Sequence, residues 1–378
     1  MDAESFFPLI EVSGSPYARG FQHGSQVPAR VRRSADIYAR ALQTLKFSEA
    51  DLRKLVTSFT RAIEEFEPAY LEEMRGIAAG AGVSFEDVLM INARTEIIAQ
   101  ARRGRLTPLT PAIPRSDECT GAAILPGRSA NGNFLQGQNW DNRQDCADTI
   151  IILRIVREDG PDVLTFVEAG GLARYGMNAA GVTLNGNGMA SSRDYQQDGI
   201  PLPLVRRKAL EQEHYALALQ VVTSTPKACS CNVILGTQLG FAVSLECAPD
   251  ETFLIYPEDD LVVHANHWTS PVALGKLKET GISGSPESLY RDQRVRQHLI
   301  EAGARLGTQD LKAAFADTYA SPFSVCRPAR VSAQGYPSCT TATLIMEPAI
   351  GILEVARMPW QGAHYARYSI ERGSALAR

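Results

Sequence analysis

The chain has 378 residues, 44% of them hydrophobic, which is enough apolar sequence to bury one or two large cores. It carries 38 basic and 42 acidic residues, a formal net charge of −4, without a basic block that would follow a phosphate backbone. This balance argues against nucleic acid as a partner, and the lack of a long apolar run argues against a membrane span.

The cysteines and the chain ends bear on the cellular compartment. Seven cysteines, an odd number in a long chain, fit reduced thiols better than a disulfide framework. The opening "MDAESFFPLIEV" lacks the basic start and apolar centre of a secretory signal, and the final "GSALAR" does not match a Ser-Lys-Leu peroxisomal address. We therefore expect a cytoplasmic protein.

The first third of the chain is predicted to be mainly helical. Apolar residues recur there at three- and four-residue steps between 29 and 100. Ser48 and Ser84 are each followed three residues later by an aspartate, a pattern typical of a helix N-terminus. Pro68 and Gly82 divide the run into helices of ordinary length.

The pattern changes at residues 101–116, which hold prolines and arginines without a helical period and predict a loop or linker. From residue 119 onward the sequence favours strands, with Asn-Gly steps for tight turns, including one at 185–188. Helical patterns return at 203–223, 286–303 and 308–318. Strands and helices in separate runs predict an α+β fold with helices packed on antiparallel sheets.

One stretch, "PRSDECTGAAILPG" (114–127), places Cys119 where the loop meets a buried strand. An arbitrary cysteine is most often a small apolar core residue. A catalytic thiol needs a base, and a cut between Glu118 and Cys119 would create an α-amine that could accept the thiol proton. The tetrahedral oxyanion that forms when the thiolate attacks a carbonyl also needs amide donors, and the new amine needs a polar group to orient it. Both "GQNWD" (137–141) and "HANHW" (264–268) contain such groups.

These blocks resemble the isopenicillin N acyltransferase family (acyl-coenzyme A:6-aminopenicillanic acid acyltransferases), which are cysteine N-terminal nucleophile hydrolases of the peptidase C45 type. The resemblance extends over nearly the whole chain. It includes "GSPYARGFQHG", "EEMRGIAAGAGVSFEDVLMINARTE", "FVEAGGLARYGMNAAGVTLNGN" and "PFSVCR". It implies a four-layer αββα sandwich and self-cleavage before the cysteine.

The resemblance also implies how the chain is divided and which residues act. A mainly helical chain, 1–118, would be released by self-cleavage from a catalytic chain, 119–378, and the two would remain together as a heterodimer forming one globular unit. Cys119 matches the family's nucleophile. Asp141 matches the aspartate that helps to orient the new amine, and Asn266 matches the asparagine whose amide helps to stabilise the oxyanion.

Other positions depart from the family's pattern or play supporting parts. Glu118 stands before the nucleophile, where the penicillin enzyme has glycine. Cys247 and Cys326 are the nearest counterparts of the family's serines. Arg327 follows the second of these and is a candidate charge partner, most commonly in a structural ion pair. Thr120 is a further supporting candidate beside the nucleophile.

The function implied is a self-processing acyltransferase acting in penicillin and antibiotic biosynthesis. It would move an acyl group from acyl-coenzyme A or an amide to an amine such as 6-aminopenicillanic acid, through a Cys119 thioester. Acyl-coenzyme A would be a co-substrate, and no bound cofactor is expected. The pair His264 and His267 lacks a third ligand nearby, so no metal site is expected.

Two alternatives stay open at this point. An amidohydrolase would hand the same thioester to water and release acyl groups from small amide conjugates. A non-catalytic relative would keep the fold, bind a small ligand or a partner and remain uncut, and Glu118 is its main support. If the protein is an enzyme, its expected partners are a small-molecule acyl donor and an amine acceptor.

Overall fold

A computed structural model describes residues 6–103, 118–332 and 335–371. Most of the predicted loop at 101–116 lies outside these residues. The helices are α1 (Pro16–Gln26), α2 (Pro28–Thr44), α3 (Glu49–Phe66), α4 (Pro68–Ala81), α5 (Phe85–Asn92), α6 (Arg94–Arg103), α7 (Leu202–Leu210), α8 (Tyr215–Ser224), α9 (Pro271–Lys276), α10 (Ser288–Glu301) and α11 (Thr308–Phe315).

The strands alternate with these helices along the second part of the chain. They are β1 (Leu9–Val12), β2 (Glu118–Ile124), β3 (Leu135–Arg143), β4 (Ile150–Ile155), β5 (Val163–Glu168), β6 (Tyr175–Asn178), β7 (Val182–Gly188), β8 (Cys231–Thr237), β9 (Phe241–Cys247), β10 (Thr252–Ile255), β11 (Leu261–His264), β12 (Arg330–Val331), β13 (Pro337–Glu347), β14 (Ile352–Arg357) and β15 (Tyr365–Ser369). Among the helices of the described ranges, none is both long and apolar enough to cross a membrane.

The helical first third is confirmed, although α1 lies before the predicted run of 29–100 and the break between α5 and α6 was not predicted. Ser48 and Ser84 each accept a hydrogen bond from the backbone N–H three residues later, which satisfies a donor at the helix N-terminus. Pro68 opens α4, where its missing N–H is not needed. Gly82 ends the same helix with φ of 65°, a conformation that glycine adopts without strain.

Two details of the prediction are wrong. The segment 203–223, predicted as one helical stretch, forms the two helices α7 and α8. The four residues between them, 211–214, are all polar and cannot extend the buried face of α7. The segment 185–188 is part of β7 and not a turn. Its Gly186 permits close strand contact instead, since a Cβ there would lie 2.4 Å from the carbonyl oxygen of Asn232 on β8.

Helices α1 and α4 pack unusually closely through glycines. A Cβ at Gly20 would lie 1.9 Å from the Glu73 carbonyl oxygen, and one at Gly76 would lie 2.2 Å from the Tyr17 carbonyl oxygen. The two helix backbones are therefore in direct contact, and any larger residue at these positions would push them apart.

Two sheets face each other between layers of helices. Within the described ranges, the first has eight strands in the order β1-β4-β5-β6-β7-β8-β9-β10, and the second has the order β11-β2-β3-β13-β14-β15 with β12 on β13. Only the β1–β4 pair among these is parallel. Strand β2 packs on β7 and β8 of the opposite sheet.

The helices cover the outer faces of this pair of sheets. Helices α7 and α8 pack on β7 and β8 of the first sheet, and α1 packs on β1 at its edge. Helices α10 and α11 pack on β2, β3, β11 and β13 of the second sheet. The predicted four-layer αββα sandwich of the α+β class is confirmed.

Strand β2 lies inside the second sheet, with neighbours on both sides and cover on both faces. Ala123 packs with Ile234 between the two sheets, whereas Ala122 packs with Phe315 beneath the outer helices. Side chains alternate along a strand, so Cys119 shares the inter-sheet face with Ala123. This burial on both faces explains the run of small and apolar residues after the cysteine.

Candidate active site

Cys119 lies at the start of β2 with its side chain buried between the two sheets. Its Sγ is 3.5 Å from the hydroxyl oxygen of Tyr175 on β6 of the opposite sheet. On the same face, Cys119 is directly opposite Trp140 of β3. The candidate nucleophile therefore lies within the closed part of the sandwich, among aromatic side chains.

Asn266 contacts the backbone of Cys119. Its Oδ1 accepts a hydrogen bond of 2.8 Å from the Cys119 N–H and one of 2.7 Å from Arg291, while its Nδ2 donates to the Gly188 carbonyl at 2.9 Å. These partners fix the amide orientation, because each side of the amide meets a group of the matching kind. In this intact chain the amide oxygen, and not the NH₂ expected to hold an oxyanion, faces Cys119.

Arg291, on α10, is a site residue that the sequence analysis missed. Its Nη1 donates to the Cys119 carbonyl at 2.6 Å and to Thr120 Oγ1 at 2.7 Å. The candidate Thr120 is thus connected to the nucleophile through this guanidinium. A signal was available, since Arg291 shares the buried stripe of α10 with Val295 and Leu299, at positions i, i+4 and i+8.

A second group of charged residues surrounds the peptide before the nucleophile. Glu118 is directly opposite Asp141 in the β2–β3 pairing, and both carboxylates contact the buried guanidinium of Arg327. Glu287 makes a third ion pair with it, at 3.0 Å. The predicted ion pair of Arg327 is thus present. Alternation along the strands puts these carboxylates on the face opposite the Cys119 thiol.

Burial makes Asp141 an unusual carboxyl group. Its Oδ1 accepts a hydrogen bond of 2.6 Å from Thr340, and its Oδ2 is 3.3 Å from Arg327 Nε without a hydrogen bond. Desolvation raises the pKa of Asp141 from 3.8 to about 7, although the positive charge of Arg291 opposes the shift. This group can therefore gain or lose a proton near neutral pH.

The two histidines beside Asn266 have structural partners. His264 lies between Glu246, 2.8 Å from its Nε2, and the Ala265 carbonyl, 2.9 Å from its Nδ1. His267 Nδ1 is 2.8 Å from Ser288 Oγ. In the described part of the chain, no three His, Cys, Asp or Glu side chains are grouped so that they could hold a metal ion.

The cysteines compared with the family's serines are both buried away from the thiol face of β2. Cys247 ends β9 and lies directly opposite Cys231 of β8 in the first sheet. Cys326 precedes Arg327, and burial raises the pKa of its thiol to about 12. That thiol is therefore protonated at neutral pH.

A half-open cavity reaches the inter-sheet face beside the nucleophile. Its wall includes Tyr175, which contacts the Cys119 sulfur, and Gly188, which binds Asn266. It also includes the side chains of Arg174 and Arg206. A small substrate in this cavity would lie next to the residues that surround Cys119.

Known proteins share sequence similarity with this chain over most of its length. No protein-family model matches the chain. The chain is 27% identical over 334 residues to the acyl-coenzyme A:6-aminopenicillanic-acid-acyltransferase 40 kDa form of Emericella nidulans, covering 84% of both chains. It is 25% identical over 334 residues to an uncharacterized protein of Archaeoglobus fulgidus, covering 78% of this chain and 55% of that relative.

One solved structure similar to this chain is that of a mutant of the conjugated bile acid hydrolase from Clostridium perfringens. The TM-score is 0.45 with 14% sequence identity, over 68% of this chain and 95% of that one. The long sequence match to a fungal acyltransferase agrees with the prediction of an enzyme that transfers or hydrolyses acyl groups. The resemblance predicted from the sequence, to the isopenicillin N acyltransferase family, is confirmed.

Proposed function

We propose that the chain is a self-processing acyltransferase whose nucleophile is the Cys119 thiol. The observation that carries this proposal is the contact between Asn266 Oδ1 and the Cys119 backbone nitrogen, at 2.8 Å. A cut before Cys119 would turn this nitrogen into an α-amine. Asn266 would then hold the amine beside the sulfur, where the amine can act as the base.

The self-cleavage step needs only this chain and water. The Cys119 sulfur attacks the Glu118 carbonyl carbon, the peptide C–N bond breaks, and the nitrogen takes the thiol proton. Water then cleaves the resulting thioester, leaving a Glu118 carboxyl group and a free Cys119 thiol and amine. Arg291 supports this role, since it contacts the carbonyl of Cys119 and steadies the first residue of the new chain.

In the catalytic cycle, the freed amine takes the thiol proton as sulfur attacks the carbonyl of an acyl donor. The donor loses coenzyme A, or an amine if it is an amide, and the acyl group remains on sulfur as a thioester. An amine acceptor then attacks that thioester, forms an amide and restores the thiol. The fungal relative named above suggests acyl-coenzyme A and 6-aminopenicillanic acid as the first donor and acceptor to test.

Hydrolysis is the second candidate because the cavity beside the nucleophile is half open. Water that enters with the donor could attack the thioester before an amine does, and the enzyme would then act as an amidohydrolase. The balance between transfer and hydrolysis depends on how completely the bound acceptor fills the cavity.

Intact mass under denaturing conditions tests the self-processing step. We expect fragments 1–118 and 119–378 from the wild type, and an intact chain from Cys119→Ala. Cys229→Ala, which removes another buried cysteine, is the control and should be cut like the wild type. A wild-type chain that stays whole would contradict self-processing and favour the non-catalytic alternative.

Coenzyme A release from an acyl-coenzyme A donor then separates the two enzyme activities. Release that depends on added 6-aminopenicillanic acid or another amine supports the transferase. Release that is equally fast without an amine supports the hydrolase, and no release from any thioester or amide donor contradicts both.

A further inference from the structure

The beginning of α10 faces the segment that contains Asn266. Ser288, the first residue of the helix, is followed by Arg291 and Asp292 after three and four positions, so the three side chains share one face. Ser288 and Arg291 are fully buried, and Asp292 is only 5% exposed. This face of α10 therefore packs against protein and not solvent.

Ser288 holds the main chain of Asn266. Its Oγ accepts a hydrogen bond of 2.7 Å from the Asn266 backbone N–H. Arg291, one turn further along the helix, donates to Oδ1 of the same asparagine at 2.7 Å. One helix thus fixes both the main chain and the side chain of Asn266, whose Oδ1 accepts from the Cys119 N–H.

The hydroxyl of Ser288 has a second partner in His267. Its Oγ lies 2.8 Å from His267 Nδ1. Because the oxygen already accepts from Asn266, the hydroxyl proton points to Nδ1, which is then the acceptor. The proton of a neutral imidazole lies on Nε2, 3.9 Å from a carboxylate oxygen of Asp292. Rotation of the Ser288 hydroxyl would therefore break a buried hydrogen bond.

The surroundings of His267 favour its neutral form. Burial lowers the pKa of His267, and the positive charges of His264 and Arg291 act in the same direction, although the Asp292 carboxylate opposes them. A neutral imidazole can accept the Ser288 proton at Nδ1, whereas a protonated one can only donate. The pKa direction thus agrees with the hydrogen bonds derived from the geometry.

We infer that Ser288 is a positioning residue for self-cleavage and that His267 fixes the orientation of its hydroxyl. Ser288 acts through the Asn266 main chain, and the Asn266 amide contacts the nitrogen that would leave Glu118 in the cut. Small misplacements of such a group slow a reaction strongly. The inference rests on the proposed function, because it concerns the same peptide bond.

The first test is the rate of self-cleavage in Ser288→Ala. We expect a decrease of about tenfold, because Asn266 keeps its side chain but loses the contact that places it. Ser84→Ala is the matched control, since Ser84 also accepts from a backbone N–H at the start of a helix, but on α5. It should lower the melting temperature and still be cut at the wild-type rate.

A double-mutant cycle with Asn266→Ala separates positioning from a purely structural role. That chain keeps the backbone N–H at position 266, so the effect of Ser288→Ala on the melting temperature should remain. Its effect on the cleavage rate should disappear, because no side-chain amide is left to position. Equal slowing of cleavage in both backgrounds would overturn the inference.

Two variants of His267 test the same contact with Ser288 left in place. His267→Ala removes the acceptor of the hydroxyl and should slow cleavage by roughly fivefold. His267→Asn places an amide oxygen at the position of Nδ1 and should restore most of the rate. Equal rates of the two variants would contradict the part given to His267.

Hydrogen exchange gives a readout that does not need cleavage. In the uncut Cys119→Ala chain, the backbone N–H of residue 119 still has the Asn266 amide as its acceptor. Adding Ser288→Ala should make this N–H exchange with solvent about tenfold faster, whereas adding Ser84→Ala should not. Both rates can be followed by NMR.

The two readouts distinguish failure of the inference from failure of the proposed function. A wild type that stays whole, with faster exchange after Ser288→Ala, would keep the path from Ser288 to residue 119 and contradict self-processing. A wild type that is cut, with unchanged cleavage and exchange in folded Ser288→Ala protein, would overturn the inference and keep the proposed function.

Discussion

Glu118 and Asp141 lie directly opposite each other on neighbouring strands, and both carboxylates contact Arg327. Glu287 completes a buried group of three carboxylates around one guanidinium. This arrangement surrounds the peptide at which the proposed cleavage takes place. Glu118 stands where the penicillin enzyme has glycine, and its side chain forms an ion pair with Arg327.

Removal of Arg327 should destabilise the protein strongly. Arg327→Met would leave buried carboxylates without their cation, and loss of one partner of a buried ion pair lowers the free energy of unfolding by about 3–5 kcal/mol. Urea unfolding measures the change. Arg33→Met removes the cation of an exposed pair and should lower it by about 1 kcal/mol or less. Equal effects of the two substitutions would contradict the assigned role of Arg327.

Asn266→Ala should slow self-cleavage. The substitution removes the acceptor of the Cys119 N–H and the group that Arg291 orients, so we expect a decrease of about 100-fold in the rate constant of cleavage. The time course of fragment formation gives this rate. Asn133→Ala, which alters a partly buried asparagine bonded to Glu347, should be cut at the wild-type rate. Cleavage of Asn266→Ala at an unchanged rate would remove Asn266 from the mechanism.

Asp141 should make stability fall as pH rises through the neutral range. Its pKa is about 7 in the folded protein and near 3.8 when exposed, so between these values the folded state holds a proton that the unfolded state has lost. The wild type therefore loses stability relative to Asp141→Asn from about pH 4 to pH 7, by roughly 1–4 kcal/mol. Above pH 7 the difference stays constant.

Urea unfolding of both proteins at pH 5 and pH 8 measures this linkage. The free energy of unfolding of Asp141→Asn should fall less between the two pH values than that of the wild type. If the wild type instead gains stability relative to Asp141→Asn as pH rises, the carboxyl group has a lowered pKa, and its pairing with Arg327 outweighs its burial.

Gly76→Ala should destabilise the packing of α1 on α4, because the added Cβ would lie 2.2 Å from a backbone oxygen of Tyr17. We expect a loss of about 1–3 kcal/mol in the free energy of unfolding. Alanine is otherwise the better helix former, so the sign of the change is informative. Gly275→Ala on α9 is the matched control, since a Cβ there has no atom within 4 Å, and it should leave stability unchanged or slightly increased. The two melting temperatures give the comparison.

The sequence predicted those site residues that belong to short motifs with their own chemistry. Cys119 was identified by its place between a charged loop and a buried strand, whereas Asn266 in "HANH" was assigned through the resemblance to the acyltransferase family. The helix caps at Ser48 and Ser84 could be predicted because they depend on contacts within one turn. The sheet order could not be derived from the residues, since it depends on pairings between strands far apart in the chain.

Arg291 and Arg206 show why the rest of the site was missed. Arg291 reaches Cys119 across 172 positions of sequence, and nothing in its local pattern identifies its partner. Arg206 follows a proline and apolar residues in α7, where nearly every residue is buried, so the local pattern does not distinguish it from Arg207 beside it. Its place in the wall of the cavity beside Cys119 can be recognised only when the fold is known.

The parallel pairing of β1 with β4 has a consequence for the proposed cut. Strand β1 and helices α1 to α6 precede Cys119, yet β1 is the edge of a sheet whose other strands all follow it. Hydrolysis of one peptide bond would therefore leave the two pieces joined by the β1–β4 hydrogen bonds, and their separation would remove an edge strand and the helices packed on it. We expect the cut protein to melt in a single transition whose midpoint rises with protein concentration, because unfolding separates the two chains. We expect fragment 119–378 produced alone to fail to fold.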